Sequence, residues 1–203
     1  SRYAIELGIN VPTGKDSLSM TQKYPDGTRV MAPGTVIISA CGEVSDVKKT
    51  VVPCFVRDKE QDIVYVDFSG VEPQLGGSAF FQMLGKVGGK TPDVVSAEYF
   101  KAAFGAVQTL INEGLVSAGH DVSAGGLITT LMEMCFPAVN LGAKIDITSM
   151  GCEDAVKRLF AQNPAVVLQV KDTQKVMDVM AEYDVKAYVI GRVQQGRDFS
   201  IQN

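Results

Sequence analysis

The feature that most constrains the fold is the alternation of short apolar runs with helix-like segments after residue 60. Runs at 62–68 (DIVYVDF), 165–170 (AVVLQV) and 185–193 (VKAYVIGRV) are rich in β-branched residues and predict strands. Residues 97–112, with Ser96 as a suitable N-cap, predict a helix. Apolar side chains recur there at helical spacing, at Phe100, Phe104, Val107 and Ile111. This alternation predicts a sheet covered by helices.

Shorter elements complete this pattern. Helices are predicted at 78–84, 127–135, 153–161 and 174–182, the last capped by Asp172, and strands at 143–147 and 199–202. Two strands follow one another at the end of the chain without a helix between them, so the sheet cannot be strictly parallel. The predicted fold class is therefore α+β, a mixed β-sheet with helices packed on it in three layers.

The residues before the apolar run at 62–68 follow a different pattern. The elements predicted there are a helix at 4–7 ended by Gly8, a turn at 24–27 (YPDG) and a strand at 35–44 (TVIISACGEV). The polar stretch 45–60 then predicts a domain junction. The predicted domains are accordingly 1–50 and 51–203.

Composition limits the classes of protein to consider. The net charge is −4, and no block of Lys or Arg reaches the density of a nucleic-acid-binding surface. No apolar run approaches the roughly 20 residues needed to span a bilayer. The chain starts with neither a signal peptide nor Met, as expected of an excised segment.

The four cysteines carry information about the compartment. They form no CxxC pair, and the absence of the usual ligand spacing disfavours a structural zinc site. Cys41, Cys54 and Cys135 lie in apolar runs, where free Cys behaves as a small core residue. A reducing, cytoplasmic compartment is therefore predicted.

Residues 12–20 (PTGKDSLSM) carry groups suited to phosphate. Gly14 would let the backbone approach a ligand closely. Lys15 offers an ammonium group for phosphate, Asp16 an oxygen for a cation and Ser17 a hydroxyl donor. The spacing is not that of the GxxxxGK[ST] phosphate-binding loop, and a polar turn between two elements is the alternative.

Residues 120–127 (HDVSAGGL) combine an acid, a hydroxyl and two glycines at a predicted helix start. Backbone N–H groups at such a junction favour anions. Asp121 is suited to Mg²⁺ and Ser123 to a phosphate oxygen. The alternative is a helix cap with glycines that allow tight packing, and His120 by itself is interpreted as a structural, hydrogen-bonded residue.

Residues 75–79 (LGGSA) are a third glycine-containing segment. Close packing of a helix on a strand is the favoured interpretation, because no charge lies nearby, and a phosphate contact is the alternative. His120 is the one candidate base, and no Cys lies beside it in the sequence. Nothing in the chain therefore indicates a glutaminase.

Taken in order, these segments resemble the long-chain form of formylglycinamide ribonucleotide amidotransferase, which belongs to the aminoimidazole ribonucleotide synthetase-like ATP enzymes. The similar segments are 7–20, 36–40, 47–50, 75–79, 91–94 and 120–127. The resemblance implies a ligase that converts formylglycinamide ribonucleotide, glutamine and ATP to formylglycinamidine ribonucleotide, glutamate, ADP and phosphate. It further implies that 1–50 are the C-terminal segment of an A-type domain and 51–203 a B-type domain of the second synthetase half, similar to the C-terminal domain of aminoimidazole ribonucleotide synthetase.

The resemblance also implies roles for individual residues. Asp121 corresponds to a Mg²⁺ ligand and Ser123 to a contact of a second, structural nucleotide. Gly14 and Ser17 correspond to positions that contact ATP and the ribonucleotide substrate. Lys15 stands where short-chain relatives carry a metal-binding Asn, so either Lys15 meets a phosphate or Asp16 takes the cation. The implied cofactors are ATP or ADP and Mg²⁺, and no catalytic residue is named.

The implied partners are the remaining domains of the same polypeptide, namely a first synthetase half and a glutaminase, and a small ribonucleotide. The chain alone is expected to be inactive. Two other functions stay open: a non-catalytic half-domain that holds a helper nucleotide, and another ATP enzyme of the group, such as selenophosphate synthetase or thiamine phosphate kinase. Residues 160–164 (FAQNP) depart from the acidic stretch of the family, so no site is assigned to them.

Overall fold

The structure is a computed structural model that describes residues 2–15, 20–32, 34, 36–56, 61–151 and 153–203. The chain divides into two compact units, residues 1–47 and 48–203. The domain types assigned to 1–50 and 51–203 stay predictions. Asp16 and Ser17, both predicted site residues, lie outside the described part of the chain.

The first unit contains one short helix and one hairpin. Helix α1 (Arg2–Leu7) ends at Gly8, whose φ of 77° suits the left-handed conformation that closes a helix, as predicted. Strands β1 (Thr21–Lys23) and β2 (Arg29–Met31) pair antiparallel. The predicted turn at 24–27 joins them through backbone hydrogen bonds.

The predicted strand at 35–44 is wrong. The described residues 36–44 form no strand, and Val36, Ile37 and Ile38 are 85%, 87% and 76% exposed. A β-branched run becomes a strand only where a neighbouring strand supplies hydrogen bonds and a covering layer. Within the described part of this unit, the paired strands are β1 and β2, which pair with each other. Cys41, predicted to be a core residue, is exposed for the same reason.

The second unit alternates strands and helices. Its elements are β3 (Asp62–Asp67), α2 (Ala79–Met83), α3 (Ala97–Asn112), β4 (Val116–Asp121), α4 (Gly126–Cys135), β5 (Leu141–Asp146), α5 (Ala155–Phe160), β6 (Ala165–Val170), α6 (Thr173–Glu182), β7 (Ala187–Gln195) and β8 (Phe199–Gln202). Single 3₁₀ turns cover Val47–Lys49, at the unit boundary, and Thr148–Met150. The predicted helices and strands after residue 60 are all present, with small shifts of their ends.

These strands form a mixed six-stranded sheet in the order β4-β6-β3-β7-β5-β8. Each neighbouring pair is antiparallel except β5 and β8, which are parallel. One face of the sheet is covered by α3 and α6, and the other by α4. The predicted fold class, a mixed sheet with helices in three layers, is confirmed.

Helix α3 shows how the sequence builds one of these layers. The hydroxyl of Ser96 accepts a hydrogen bond from the backbone N–H of Tyr99 at 3.1 Å, which caps the helix as predicted. Small residues, Ala103 and Ala106, are fully buried against the sheet. Phe104, predicted to lie on the buried face, is instead 55% exposed.

Two further observations bear on the sequence-based exclusions. In the part of the chain that the structure describes, no helix combines the length and hydropathy needed to cross a membrane. Cys41, Cys54 and Cys135 are free thiols, and burial raises the pKa of the Cys135 thiol.

Candidate functional site

Three strand ends meet at one edge of the six-stranded sheet. Asp67, the last residue of β3, lies opposite Ala165, the first residue of β6. Asp121, the last residue of β4, lies opposite Val166. The loops that follow β3 and β4 and the segment that precedes β6 are therefore neighbours, and we call this region the loop edge (residues 68–79, 122–126 and 160–164).

The acid and hydroxyl of segment 120–127 face outward at this edge. The side chain of Asp121 is 73% exposed, and Ser123 is exposed as well. Helix α4 begins with Gly125 as its N-cap, at a φ of 95°, and neither Asp121 nor Ser123 forms a side-chain hydrogen bond to its first turn. The helix-cap alternative for Asp121 and Ser123 is therefore wrong. Both side chains stand beside a helix start whose dipole favours anions.

His120 holds the backbone and side chain of Asp121 in place. Its Nδ1 lies 2.8 Å from the carbonyl oxygen of Asp121 and 3.4 Å from the carboxylate Oδ1. The hydroxyl of Thr130 donates to the same carbonyl at 3.1 Å. On its other side, Nε2 of His120 lies 3.7 Å from the Glu133 carboxylate. The interpretation of His120 as a structural, hydrogen-bonded residue is confirmed.

Two glycines at the loop edge are required by close backbone approaches. A Cβ on Gly126 would lie 2.6 Å from the carbonyl oxygen of Leu159 and 2.7 Å from the Cα of Phe160, and its φ is 75°. A Cβ on Gly76 would lie 2.4 Å from the carbonyl oxygen of Lys90, to which Gly76 also donates its N–H at 2.8 Å. Close packing thus explains both glycines, although Gly76 packs against another loop and not against a strand.

A buried polar network fixes the loop after β3 to the segment before β6. The carboxylate of Asp67 accepts hydrogen bonds from the backbone N–H and the hydroxyl of Ser69, at 2.7 and 2.6 Å. Asn163, 4% exposed, accepts from the Gln74 N–H at 3.0 Å and donates to the Ser69 hydroxyl at 3.4 Å. Buried polar groups satisfied in this way rigidify a loop.

Sequence reasoning gave no role to Asp67 or Asn163. The sequence did offer one signal, a polar residue at the edge of a buried apolar run. Asp67 lies near the end of the run 62–68, and Asn163 lies just before the run 165–170. Polar residues at the mouth of a buried strand must find partners, and adjacent strands bring their partners together. Without the strand order, however, the sequence could not show that these two strands are neighbours.

The donor set at the loop edge can be tested against a metal ion. Among the described residues, no group of three His, Cys, Asp or Glu side chains is placed to hold one. Asp121 alone offers an exposed carboxylate beside the helix start. Mg²⁺ commonly takes one or two protein carboxylates and completes its coordination with phosphate oxygens and water. The residues therefore fit a phosphate-bound Mg²⁺ and do not fit a metal held by protein groups alone.

The predicted site residues of the first unit are placed differently. Gly14 and Lys15 are exposed and lie outside any helix or strand. A Cβ on Gly14 would meet nothing within 4 Å, so the described structure itself does not require glycine there. A role for Gly14 and Lys15 beside a nucleotide stays a prediction, as do the roles of Asp16 and Ser17.

The mixed sheet with helices on both faces defines an α+β domain. The family model described as "AIR synthase related protein, C-terminal domain" matches residues 61–202. The chain belongs to this family.

A curated relative extends the similarity to the first unit. The probable phosphoribosylformylglycinamidine synthase, chloroplastic/mitochondrial, of Arabidopsis thaliana is 42% identical over 196 residues, which cover 95% of this chain. The chain spans 14% of the length of that relative.

Solved structures share the fold. Thermotoga maritima PurL complexed with ATP has a TM-score of 0.58 at 15% identity, over 77% of this chain and 25% of that one. The same protein complexed with FGAR has a TM-score of 0.58 at 16% identity, over 77% and 27% of the two chains. At such identities the likeness establishes the fold alone.

Proposed function

We propose that this chain is part of an ATP-dependent ligase of purine biosynthesis. The reaction is the conversion of formylglycinamide ribonucleotide, glutamine and ATP to formylglycinamidine ribonucleotide, glutamate, ADP and phosphate. The observation that carries the proposal is the 42% identity to a probable phosphoribosylformylglycinamidine synthase over 95% of the chain. The PurL proteins of the same fold have been solved with ATP, ADP and FGAR, which agrees with such a reaction.

The chain's own residues would contribute electrostatic positioning at the loop edge. Asp121 would bind Mg²⁺ through its exposed carboxylate, and Ser123 would donate a hydrogen bond to a phosphate oxygen of ATP or ADP. The N-terminal end of α4 would stabilise the same phosphate, because its N–H groups and dipole favour negative charge. The Mg²⁺ would neutralise the phosphate charge of this nucleotide, to which the resemblance assigns a structural role.

The first unit would supply contacts to the catalytic nucleotide and the substrate. In this proposal, residues 1–50 are the end of an A-type domain and 51–203 a B-type domain; the family match over 61–202 supports the second assignment. Gly14 would lie against the nucleotide and Ser17 against the ribonucleotide. Lys15 and Asp16 would meet a phosphate or its cation.

The partners would be the remaining domains of one polypeptide, a first synthetase half and a glutaminase. The length of the Arabidopsis relative, of which this chain spans 14%, leaves room for such domains. The compartment would be a reducing one, and we propose the cytoplasm; the free thiols of Cys41, Cys54 and Cys135 support this.

In a second candidate function, the loop edge holds a nucleotide without turning it over. One observation favours it. His120, the nearest candidate base, is engaged with Asp121 and Glu133 and is largely buried. The whole chain would then be a non-catalytic half-domain that holds a helper nucleotide, and catalysis would occur elsewhere in the protein. Other ATP enzymes of the group are less favoured, because the 42% identity extends across both units.

Binding of MgADP and of metal-free ADP tests the role of Asp121. Calorimetric titration of the chain with MgADP should show a Kd raised about tenfold or more in Asp121→Asn, since one carboxylate ligand of Mg²⁺ is lost. Titration with ADP in EDTA should give equal affinities for wild type and variant, because Asp121 acts through the cation. Asp178→Asn, an exposed Asp on α6, is the matched control. Equal MgADP affinity in Asp121→Asn and wild type would remove Asp121 from the site.

An assay of ADP release tests whether the isolated chain has catalytic activity. With ammonia in place of glutamine, the purified chain should release no ADP above background, with or without formylglycinamide ribonucleotide. The physical reason is that reacting groups misplaced by about 1 Å lose on the order of a hundredfold in rate, and the first half would normally position the substrate. Substrate-dependent ADP release would show that the site is complete within these 203 residues.

A further inference from the structure

We propose that Thr130 is a positioning residue for the Mg²⁺-nucleotide site, because its buried hydroxyl holds the peptide group next to the Asp121 carboxylate. This inference rests on the proposed function, since Asp121 is the residue that would bind the cation there. Thr130 is 2% exposed and has no surface to offer a ligand, whereas the side chain of Asp121 is 73% exposed. Thr130 therefore acts on a ligand through Asp121.

Thr130 is a polar residue on the buried side of α4, where Leu127 and Leu131 pack into the core. A hydroxyl in such a place needs an acceptor within the protein, because water is excluded. It donates to the carbonyl of Asp121 at 3.1 Å, and the carbonyl of Gly126, one turn earlier in α4, lies 3.3 Å away. The one hydroxyl proton is thus directed at the end of β4 and at the start of α4.

The peptide group between Asp121 and Val122 is held on both sides. Its carbonyl accepts from the hydroxyl of Thr130 at 3.1 Å and lies 2.8 Å from Nδ1 of His120. A carbonyl oxygen can only accept, so Nδ1 is the donor, and both lone pairs of the oxygen are used. The N–H of Val122 donates to the carbonyl of Ala165 at 2.8 Å. Three hydrogen bonds therefore fix the plane of one peptide group.

A fixed peptide plane limits the directions that the Asp121 side chain can take. The orientation of this peptide group sets ψ of Asp121, and the rotamers that a side chain can adopt depend on φ and ψ. A carboxylate that is already oriented loses less conformational freedom when it binds a cation. Groups that orient a metal ligand commonly contribute about 10- to 100-fold to metal affinity. Thr130 supplies this orientation from the buried side of the site.

Three substitutions separate the hydroxyl from the volume of the side chain. Thr130→Val keeps the shape and removes the hydroxyl, whereas Thr130→Ser keeps the hydroxyl and removes a methyl group. Thr109→Val removes a hydroxyl that lies 2.9 Å from the Tyr183 hydroxyl, on α3 at the opposite face of the sheet, and is the matched control. The measurements are calorimetric titrations with MgADP and with ADP in EDTA, and hydrogen exchange at the Val122 amide.

In Thr130→Val we expect the Kd for MgADP to rise about tenfold, because the orientation of the cation ligand is lost. The Kd for ADP in EDTA should match wild type, since Thr130 acts through that ligand. Exchange at the Val122 amide should accelerate severalfold, because its peptide group loses one of three hydrogen bonds. Thr130→Ser and Thr109→Val should match wild type in all three measurements.

A double substitution distinguishes positioning from a general loss of structure. In the Asp121→Asn background, Thr130→Val should raise the Kd for MgADP by less than about twofold further, because the carboxylate that it orients is already gone. A role of Thr130 in stability alone predicts the same loss of affinity for MgADP and for metal-free ADP, and the same loss with and without Asp121→Asn. Either of those results would overturn the proposal.

Wild-type MgADP affinity in Thr130→Val would also overturn it, and unchanged exchange at Val122 would show that the hydroxyl does not hold this peptide group. If the wild-type chain binds no MgADP, the proposed function fails and the role of Thr130 in binding fails with it, while the exchange rates still decide whether Thr130 holds the peptide group. If Thr130→Val does not fold, Thr130→Ser and Thr130→Ala, which differ by the hydroxyl oxygen alone, replace it. Weaker MgADP binding in Thr130→Ala would then support the proposal, and equal binding in the two would contradict it.

Discussion

The two units of the chain differ in how their apolar residues are used. In residues 48–203, two clusters of buried side chains fill the two faces of one sheet. In the described part of residues 1–47, no side chain is buried, and the apolar residues Ile5, Val11 and Met31 are 76%, 62% and 74% exposed. The two units have comparable local signals, with β-branched runs, a capped helix or a clear turn in each. An apolar sequence pattern therefore produced a packed helix or strand only where another layer of the fold covers its apolar side chains.

An apolar surface of this kind normally marks a region that is covered by another part of a protein. The exposed run Val36–Ile37–Ile38 is the clearest case, because a strand pattern there has neither a partner strand nor a covering layer in the described residues. This agrees with the proposal that residues 1–50 complete an A-type domain whose other elements lie outside this chain. The comparison also yields measurable differences, the largest of which concerns core side chains.

Leu131→Ala should destabilise the chain by about 3 kcal/mol, because the side chain is fully buried and its removal leaves a cavity in the core under α4. Ile37→Ala should change the free energy of unfolding by no more than about 0.5 kcal/mol, since that side chain is 87% exposed. Urea unfolding followed by circular dichroism measures both. A loss in Ile37→Ala comparable to that in Leu131→Ala would contradict the division into a packed and an unpacked unit.

The same division explains how far the sequence could predict the fold. Helix α3 and strand β6 were predicted with their correct ends, because caps and apolar periodicity are local signals that the sheet then reinforces. The strand at 35–44 failed because β-structure depends on a partner that the sequence of this region does not reveal. Phe104 failed for a subtler reason: small residues, Ala103 and Ala106, allow α3 to approach the sheet and take the buried face instead.

The sequence likewise predicted the local segments of the candidate site but not how they come together. The glycine-containing segments at 75–79 and 120–127 could be read locally as turns that precede helices. Their convergence with residues 160–164 could not, because it depends on β3 and β4 each lying beside β6. Gln162 therefore carried no signal in the sequence, although its amide oxygen, when turned toward Ala79 and Gly125, accepts a hydrogen bond from the backbone N–H of each.

Substitutions of two glycines, one in each unit, should have effects on stability of intermediate size. Gly126→Ala should destabilise the chain by about 2 kcal/mol or more, because a Cβ would overlap the backbone of Leu159 and Phe160 and the φ of 75° strains any other residue. Gly14→Ala should leave the free energy of unfolding within about 0.5 kcal/mol of wild type, since a Cβ there meets open space.

Thermal unfolding of both variants, followed by calorimetry, provides the measurement. The control is Gly126→Ser, which shares the added Cβ and should be destabilised as much as Gly126→Ala. If Gly14→Ala proved as destabilising as Gly126→Ala, Gly14 would serve the packing of the first unit. With stability unchanged, any loss of MgATP or substrate affinity in Gly14→Ala would instead point to the close ligand approach proposed for it.

The smallest expected effect concerns two exposed carboxylates, one in each unit. Hydrogen bonds from the hydroxyl and N–H of Thr148, at 2.6 and 2.9 Å, lower the pKa of Asp146 below its usual value. The backbone N–H of Thr28, at 2.9 Å, and then the Thr28 hydroxyl lower the pKa of Asp26 in the same way. A carboxylate whose pKa is lower in the folded state stabilises that state above its unfolded pKa of about 3.9, and the stabilisation is lost as the pH falls through the folded value.

Asp146 should affect global unfolding and Asp26 should not, because Asp146 lies in the unit with two buried clusters, whereas the described residues of the other unit include no buried side chain. Asp146→Asn should lower the unfolding midpoint at about pH 7, and its difference from wild type should shrink as the pH falls below the unfolded pKa of about 3.9 and then through the lower folded value. Asp26→Asn should leave the midpoint unchanged over the same pH range, although NMR titration should find a lowered pKa for Asp26 as well as for Asp146. The shift in Asp146→Asn should be small, since both groups are fully exposed and well solvated. A pH-dependent shift of the unfolding midpoint in Asp26→Asn equal to that in Asp146→Asn would mean that the hairpin of β1 and β2 unfolds together with the six-stranded sheet. The two units would then differ in the burial of their side chains but would unfold as one cooperative unit.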